Sequence, residues 1–297
     1  MMDQQVTFNT DLIKRYDVAG PRYTSYPTAV QFVEGFDANA YQRYTSASNA
    51  ELIPKPLSLY VHLPFCHSLC YYCGCTKKVT RHEHQGVRYL ELLHSEIEMQ
   101  GKLFDYDRDV VQLHFGGGTP TYHNDDQLTA LMSQLGEHFS LSTNESREYS
   151  IEVDPRTVGN ERLEKLAEIG FNRISLGVQD IDPAVQKAVN RIQDTQATLD
   201  MVENSRKFGF NSVSIDLIYG LPLQTVESFS KTIDTVVAAQ PNRLAVYNYA
   251  HMPHIFRAQR MINKDDIPSP QTKLDLMELT IQKLTEEGYV YIGMDHF

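Results

Sequence analysis

The sequence predicts an α/β fold: a partial (β/α)6 TIM-like barrel of parallel strands behind an extended N-terminal arm. Three observations predict it. From Leu57 onward, short β-branched or aromatic runs alternate with longer helical patterns, which is how βα units read along a chain. A weak repeat, Glu168-Ile169-Gly170-Phe171, Lys207-Phe208-Gly209-Phe210 and Glu286-Glu287-Gly288-Tyr289, recurs ahead of expected strands. Its glycine suits a left-handed helix cap and its aromatic anchors the turn back to the sheet. Finally, polar or glycine-rich residues gather where the strands end, the face on which such barrels place their chemistry.

Taken in order, residues 1–56 show no sustained period, and Gly20-Pro21-Arg22-Tyr23-Thr24-Ser25-Tyr26-Pro27-Thr28 opposes helix, so this stretch is expected as the arm. The barrel is expected over 57–297. Strands are expected at Leu57 to Pro64, Val110 to Phe115, Tyr149 to Val153, Arg173 to Val178, Ser212 to Ile218, Arg243 to Tyr249 and Tyr289 to Met294. Helices are expected at Gln85 to Leu103, Asp125 to Phe139, Asn160 to Ile169, Thr195 to Phe208, Thr225 to Ala239 and Pro270 to Glu287. Six βα units and one further strand make an open barrel.

A chain of 297 residues can bury one large core. The formal charge of −11, from 27 basic and 38 acidic residues, argues against a nucleic-acid surface. There is no charged-then-apolar leader, and no apolar run approaches the ~18 residues of a membrane span. A cytoplasmic chain with no nucleic-acid or membrane partner is therefore expected.

All four cysteines lie in Cys66-His67-Ser68-Leu69-Cys70-Tyr71-Tyr72-Cys73-Gly74-Cys75, at the end of the first strand. The first three read C-x3-C-x2-C, a spacing that lets one loop present Cys66, Cys70 and Cys73 to an iron-sulfur cube. A cube closed by four cysteines serves electron transfer; one held by three keeps an iron open for a chelating molecule. Cys73-Gly74-Cys75 is a short bite across two corners, so Cys75 reads as a neighbour and not a ligand. A zinc-stabilised binding module, with His62 or His67 completing the set, is the alternative from another class.

Gly116-Gly117-Gly118-Thr119-Pro120 follows the second strand, where missing side chains let backbone groups touch a ligand; a tight turn is the plainer reading. It matches neither a dinucleotide fingerprint nor a P-loop. Glu152 and Asp216 lie inside strands and need partners: ribose hydroxyls would serve, and so would an internal ion pair.

The cysteine loop, the glycine run and the βα order together resemble the radical S-adenosylmethionine (radical SAM) superfamily. Within it the chain is similar to the oxygen-independent coproporphyrinogen III oxidase family, through Pro21 to Thr28, Tyr60 to Cys75, Leu113 to Thr121, Ile151 to Arg156, Gly177 to Asp180, Ile215 to Pro222, Tyr247 to His251 and Gly293 to Phe297. The resemblance implies a radical SAM barrel in which a 5′-deoxyadenosyl radical attacks two propionates of coproporphyrinogen III, giving the vinyl groups of protoporphyrinogen IX in haem biosynthesis. It implies one [4Fe-4S] cluster on Cys66, Cys70 and Cys73, and a first S-adenosyl-L-methionine lined by Tyr60, Gly117 and Glu152. A second S-adenosyl-L-methionine would meet Tyr72, Gly118, Thr119, Gln179, Arg191, Asp216 and Ala250. Cys75 matches a family cysteine needed for turnover.

A monomer served by an unidentified reductant and electron acceptor is expected. A C-terminal helical domain found in the family is expected to be absent beyond Asp295-His296-Phe297. A haem-binding chaperone relative is the alternative within the superfamily; it would lack the Pro21 to Thr28 arm and the fourth cysteine. Arg22, Lys77, Lys78 and Arg81 are expected to offer cations to the substrate's carboxylates.

Overall fold

The computed structural model describes residues 7–16 and 31–297. The Gly20 to Thr28 segment and Arg22 lie outside these residues. In the described part of the arm the chain is not wholly extended: α1 (Thr10–Tyr16) and α2 (Ala38–Asn49) are helices, the latter capped by the Asp37 carboxylate on the Ala40 N–H. A short capped helix needs no long apolar period to form, which is why the sequence pattern missed it.

The barrel runs β1 (Leu57–Leu63), β2 (Phe65–Cys66), β3 (Lys78–Val79), α3 (Glu83–Gly101), β4 (Asp109–Gly117), α4 (Asp125–His138), β5 (Ser140–Leu141), β6 (Glu148–Val153), α5 (Asn160–Ile169) and β7 (Arg173–Gln179). It continues through α6 (Pro183–Ala188), α7 (Thr195–Lys207), β8 (Ser212–Tyr219), α8 (Val226–Ala238), β9 (Arg243–Asn248) and α9 (Pro270–Glu286). Strands pair in parallel in the order β1-β4-β6-β7-β8-β9, with β5 beside β4. Each step to the next long strand crosses through helix, as parallel pairing requires. Separately, β2 and β3 form a two-stranded ribbon at the foot of the cysteine loop.

Parallel strands covered on both faces usually read as unbroken apolar runs. Here β6, β7 and β8 alternate instead: Ile151, Ile174, Leu176, Val213, Ile215 and Leu217 are fully buried, while the intervening positions are half-buried. The apolar face packs against the helices through residues such as Leu128, Leu163, Leu166, Val202 and Phe229. The other face lines a polar lumen, and Glu152 and Asp216 sit on it.

The repeat works as expected at the helix ends. Gly170, Gly209 and Gly288 adopt φ of +116°, +96° and +87°, and the next residue's N–H reaches back to Leu166, Ser205 and Leu284. Phe171 and Phe210 are then buried.

The seventh strand, Tyr289 to Met294, does not form. Gly293, Met294 and Asp295 all take positive φ, so the chain turns on itself and only isolated antiparallel bridges join Ala245 and Gly293 to His296. An apolar run is not a strand when its backbone enters the left-handed region.

Candidate functional site

A cavity of about 480 Å³ opens at the C-terminal ends of the strands. Of the residues expected at the site, Cys66, Cys70, Tyr72, Cys73, Cys75, Gly117, Gly118, Thr119, Glu152, Gln179, Arg191 and Asp216 line it. Two do not. Tyr60 lies in a second cavity, of about 560 Å³, toward the starts of the strands; Glu152 and Asp216 border both. Ala250 is exposed outside the first cavity, tied to it through Gln259, whose amide donates to the carbonyls of both Ala250 and Tyr72 at 3.1 and 3.0 Å.

The cysteine loop is fixed to the barrel by backbone bonds. Cys66 pairs with Val79 across the ribbon, the Thr80 N–H reaches the Cys66 carbonyl at 3.0 Å, and the Tyr71 N–H reaches Val189 at 3.0 Å. From the glycine run, the N–H groups of Gly118 and Thr119 donate to Leu63 and Phe65 at 2.9 and 2.8 Å.

Each glycine of that run answers to a different neighbour. A Cβ at Gly116 would stand 2.7 Å from Glu152 Oε1, one at Gly117 2.7 Å from the His62 ring, and one at Gly118 2.6 Å from the Pro64 carbonyl. Close packing, not only ligand access, therefore demands small residues here, a need that residue types alone do not reveal.

The four thiols are free. The side-chain hydrogen bond from Cys75 pulls the Cys73 thiol down to about 5 against the cost of burial, with Lys77 helping. Cys75 is pushed up correspondingly, by that bond and by burial. Burial also raises Cys66, against a hydrogen bond from Thr119 Oγ1 at 3.5 Å. Cys70 Sγ receives Arg191 Nη1 at 3.4 Å and Arg156 Nη2 at 3.6 Å.

Those two guanidiniums also clamp Asp154, at 3.3 and 2.6 Å. Burial disfavours its carboxylate, yet the arginines hold it below the ordinary aspartate value. Arg191 is itself buried and is paired with the Asp154 carboxylate; its Nε is buried with no hydrogen-bond partner. At the end of β7 the register slips between Gly177 and Gln179, and Gln179 takes φ +69°. A bulge with a non-glycine left-handed residue re-aims a side chain at a local cost, a pattern common at binding sites.

Glu152 accepts the Gly117 N–H at 3.1 Å and the His114 ring at 3.0 Å, and Asp216 accepts from Ser175 Oγ at 3.1 Å. Burial pushes the Asp216 carboxyl up to about 7, and the negative Glu152 adds to the rise. Of the cations expected to meet carboxylates, Lys77 lines the cavity and donates to the Cys73 carbonyl at 2.9 Å; Lys78 and Arg81 are exposed outside it. Sequence reasoning missed His114, Asp154 and Arg156 as a working set. Strand alternation held the signal for the first, since His114 and Gly116 share a face beside Ser150 and Glu152.

The donor set fits an iron-sulfur cube. Three thiols reach one cavity from one anchored loop, one of them already biased toward thiolate, and each would take a separate corner. Among the described residues no group of three or more His, Cys, Asp or Glu side chains gathers around a single-ion point. Nor is any helix among them long and apolar enough to cross a membrane.

The Radical SAM superfamily profile matches residues 60–236. The chain is 50% identical over 292 residues to the oxygen-independent coproporphyrinogen III oxidase of Pseudomonas aeruginosa, covering 98% of this chain and 63% of that protein. It is 50% identical over 297 residues to the protein of that name from Escherichia coli, covering 100% and 64%. The solved structure of the Escherichia coli coproporphyrinogen III oxidase, described as a radical SAM enzyme, superposes with a TM-score of 0.90 at 50% identity, over 99% of this chain and 64% of that one. The chain thus spans less than two thirds of the length of these relatives. Relatives bearing the oxidase name do not favour the haem-chaperone or zinc-module alternatives.

Proposed function

We propose, from the premise that this chain belongs to the radical SAM superfamily, that it forms the barrel of an oxygen-independent coproporphyrinogen III oxidase. Membership brings the superfamily's cofactors, a [4Fe-4S] cluster and S-adenosyl-L-methionine. The observation that carries the proposal is the meeting of three thiols, a glycine strand end and the polar set Glu152, Gln179, Arg191 and Asp216 in one cavity.

In this reading Cys66, Cys70 and Cys73 hold the cluster. When bound, cluster and S-adenosyl-L-methionine together supply hydrogen-atom abstraction from an unactivated carbon, chemistry that belongs to the cofactors and not to side chains. The chain positions and shields. Glu152 takes ribose hydroxyls of a first S-adenosyl-L-methionine, with the Gly117 backbone beside it and Tyr60 at the lower edge. The Gly118-Thr119 backbone, Tyr72, Gln179, Arg191, Asp216 and Ala250 serve a second. Arg191 and Arg156 keep Asp154 ionised and both reach the Cys70 sulfur.

The substrate proposed is coproporphyrinogen III, two of whose propionates each lose carbon dioxide, one hydrogen atom and one electron to become vinyl groups. Lys77 faces those carboxylates from the cavity wall. Cys75, hydrogen-bonded to Cys73 but outside the ligand set, acts near the reacting group. An external reductant delivers one electron to the cluster and an acceptor removes one from substrate. The protein works as a monomer in the cytoplasm.

Anaerobic iron and sulfide reconstitution of this chain, followed by reduction with S-adenosyl-L-methionine, tests the core of the proposal. A brown protein that releases 5′-deoxyadenosine is expected. A colourless, inert protein holding stoichiometric zinc overturns it. Coproporphyrinogen turnover is then measured with the reconstituted chain.

A further inference from the structure

We propose that His114 is a positioning residue that holds the Glu152 carboxylate in its nucleoside-binding orientation. The proposal rests on the reading that Glu152 meets ribose hydroxyls. It adds a residue to which neither the sequence motifs nor that reading assigned a part.

Glu152 stands on β6 with its two oxygens held from different sides: Oε2 by the Gly117 N–H at 3.1 Å, Oε1 by His114 Nε2 at 3.0 Å. Because an ionised carboxylate only accepts, His114 Nε2 carries the proton. A carboxylate fixed at both oxygens cannot spin about its last torsion, and its remaining lone pairs then point in set directions toward the cavity. Both side chains are more than a third exposed, so neither is immobilised by packing alone.

The histidine ring is fixed in turn. It lies parallel to the Tyr60 ring, centroids 5.7 Å apart at an interplanar angle of 13°. Tyr60 Oη meets His62 Nδ1 at 3.0 Å, and His62 Nε2 meets the carbonyl of Thr76, directly after the cysteine loop, at 2.9 Å. One chain of contacts thus joins the carboxylate on β6, the histidine on β4, the tyrosine and histidine on β1 and the end of the metal-binding loop.

The first glycine of the run makes room for it. A Cβ at Gly116 would stand 2.7 Å from Glu152 Oε1 and 2.9 Å from His114 Nε2, inside the hydrogen bond itself. Tyr60, which does not reach the cysteine cavity, thereby acquires a route of influence on it through His114.

The test measures binding, not turnover. By equilibrium dialysis of labelled S-adenosyl-L-methionine with the reconstituted chain, His114→Ala should weaken binding about tenfold, the order expected for one charge-assisted hydrogen bond. His114→Gln, which keeps a donor at similar reach, should restore most of it. In the Glu152→Ala background, adding His114→Ala should cost nothing further, since the two then act as one unit. Unchanged binding in His114→Ala, or full additivity with Glu152→Ala, overturns the proposal.

A second readout uses the apoprotein and needs no cofactor loading, and its deciding measurement is on the wild type. Nitrogen-15 imidazole spectra should show the Nε2–H tautomer of His114 in the wild type and a weakening of that preference in Glu152→Ala, which removes the acceptor; no tautomer preference in the wild type overturns the pairing. If the wild type itself binds no S-adenosyl-L-methionine while the tautomer is as expected, the functional reading fails and the proposal falls with it, although the histidine-carboxylate pair stands.

Discussion

The two cavities of the barrel are of similar size, about 480 Å³ at the cysteine rim and about 560 Å³ at the other end, but their polar groups are differently employed. In the lower one, Ser58 Oγ donates to Gln112 at 2.7 Å, Gln112 donates to Glu148 at 3.3 Å, and Glu148 pairs with Arg173 and Arg243 at 2.5 and 3.5 Å. In the upper one, the Arg191 Nε is buried without a partner and the thiols line the wall. Volume does not separate them. The unspent buried donor does, and it marks the end suited to receive a ligand.

The largest effect that would break this contrast is loss of metal. Cys66→Ser, Cys70→Ser and Cys73→Ser should each abolish iron and sulfide uptake on reconstitution, while Cys75→Ser and the lower-cavity variant Glu148→Gln retain it. A cluster-free Cys75→Ser protein would place that thiol among the ligands.

Next comes Arg191→Ala, which removes one of the two guanidiniums on Asp154 and leaves Arg156 as its remaining partner. Loss of these charged hydrogen bonds should cost about 1.5–3 kcal/mol, read as the denaturation midpoint of the apoprotein. Gly118→Ala should cost about 1–3 kcal/mol, because its Cβ meets backbone carbonyls that cannot step aside.

Asp216 gives a pH signature. Its folded value lies near 7, above the ordinary 3.8, so the neutral form is the favoured one. That contribution is complete below about pH 4 and lost as pH rises through about 7, so across this window Asp216→Asn should lack the downward component that Asp216 gives the wild-type stability profile. A change of about 1 kcal/mol is expected, one pKa unit being about 1.4 kcal/mol and the site being partly open to solvent. The smallest effect is Glu148→Gln, about 0–1 kcal/mol for a partly exposed ion pair; a larger loss would give the lower end a role of its own.

Much of this was legible in the residues. Six of the seven expected strands form, because alternation and glycine caps are local signals that the tertiary fold does not contradict. The cysteine spacing, the strand carboxylates Glu152 and Asp216 and the strand-end Gln179 all reach one cavity. What stayed hidden depended on the third dimension. Arg156 looks like an ordinary charge until the loop after β6 folds it over Asp154 and Cys70. Tyr60 matches a motif yet projects to the lower cavity, and Tyr289 to Met294 has the composition of a strand with the backbone of a turn.

The strands β2 and β3 are only two residues long, yet they close the segment between Cys66 and Val79 through polypeptide bonds alone. Much of the entropy of gathering that loop is therefore spent in polypeptide folding rather than at cofactor loading. Amide exchange at Tyr71 and Thr80, whose N–H groups are bonded to the Val189 and Cys66 carbonyls, should accordingly be slow with or without iron.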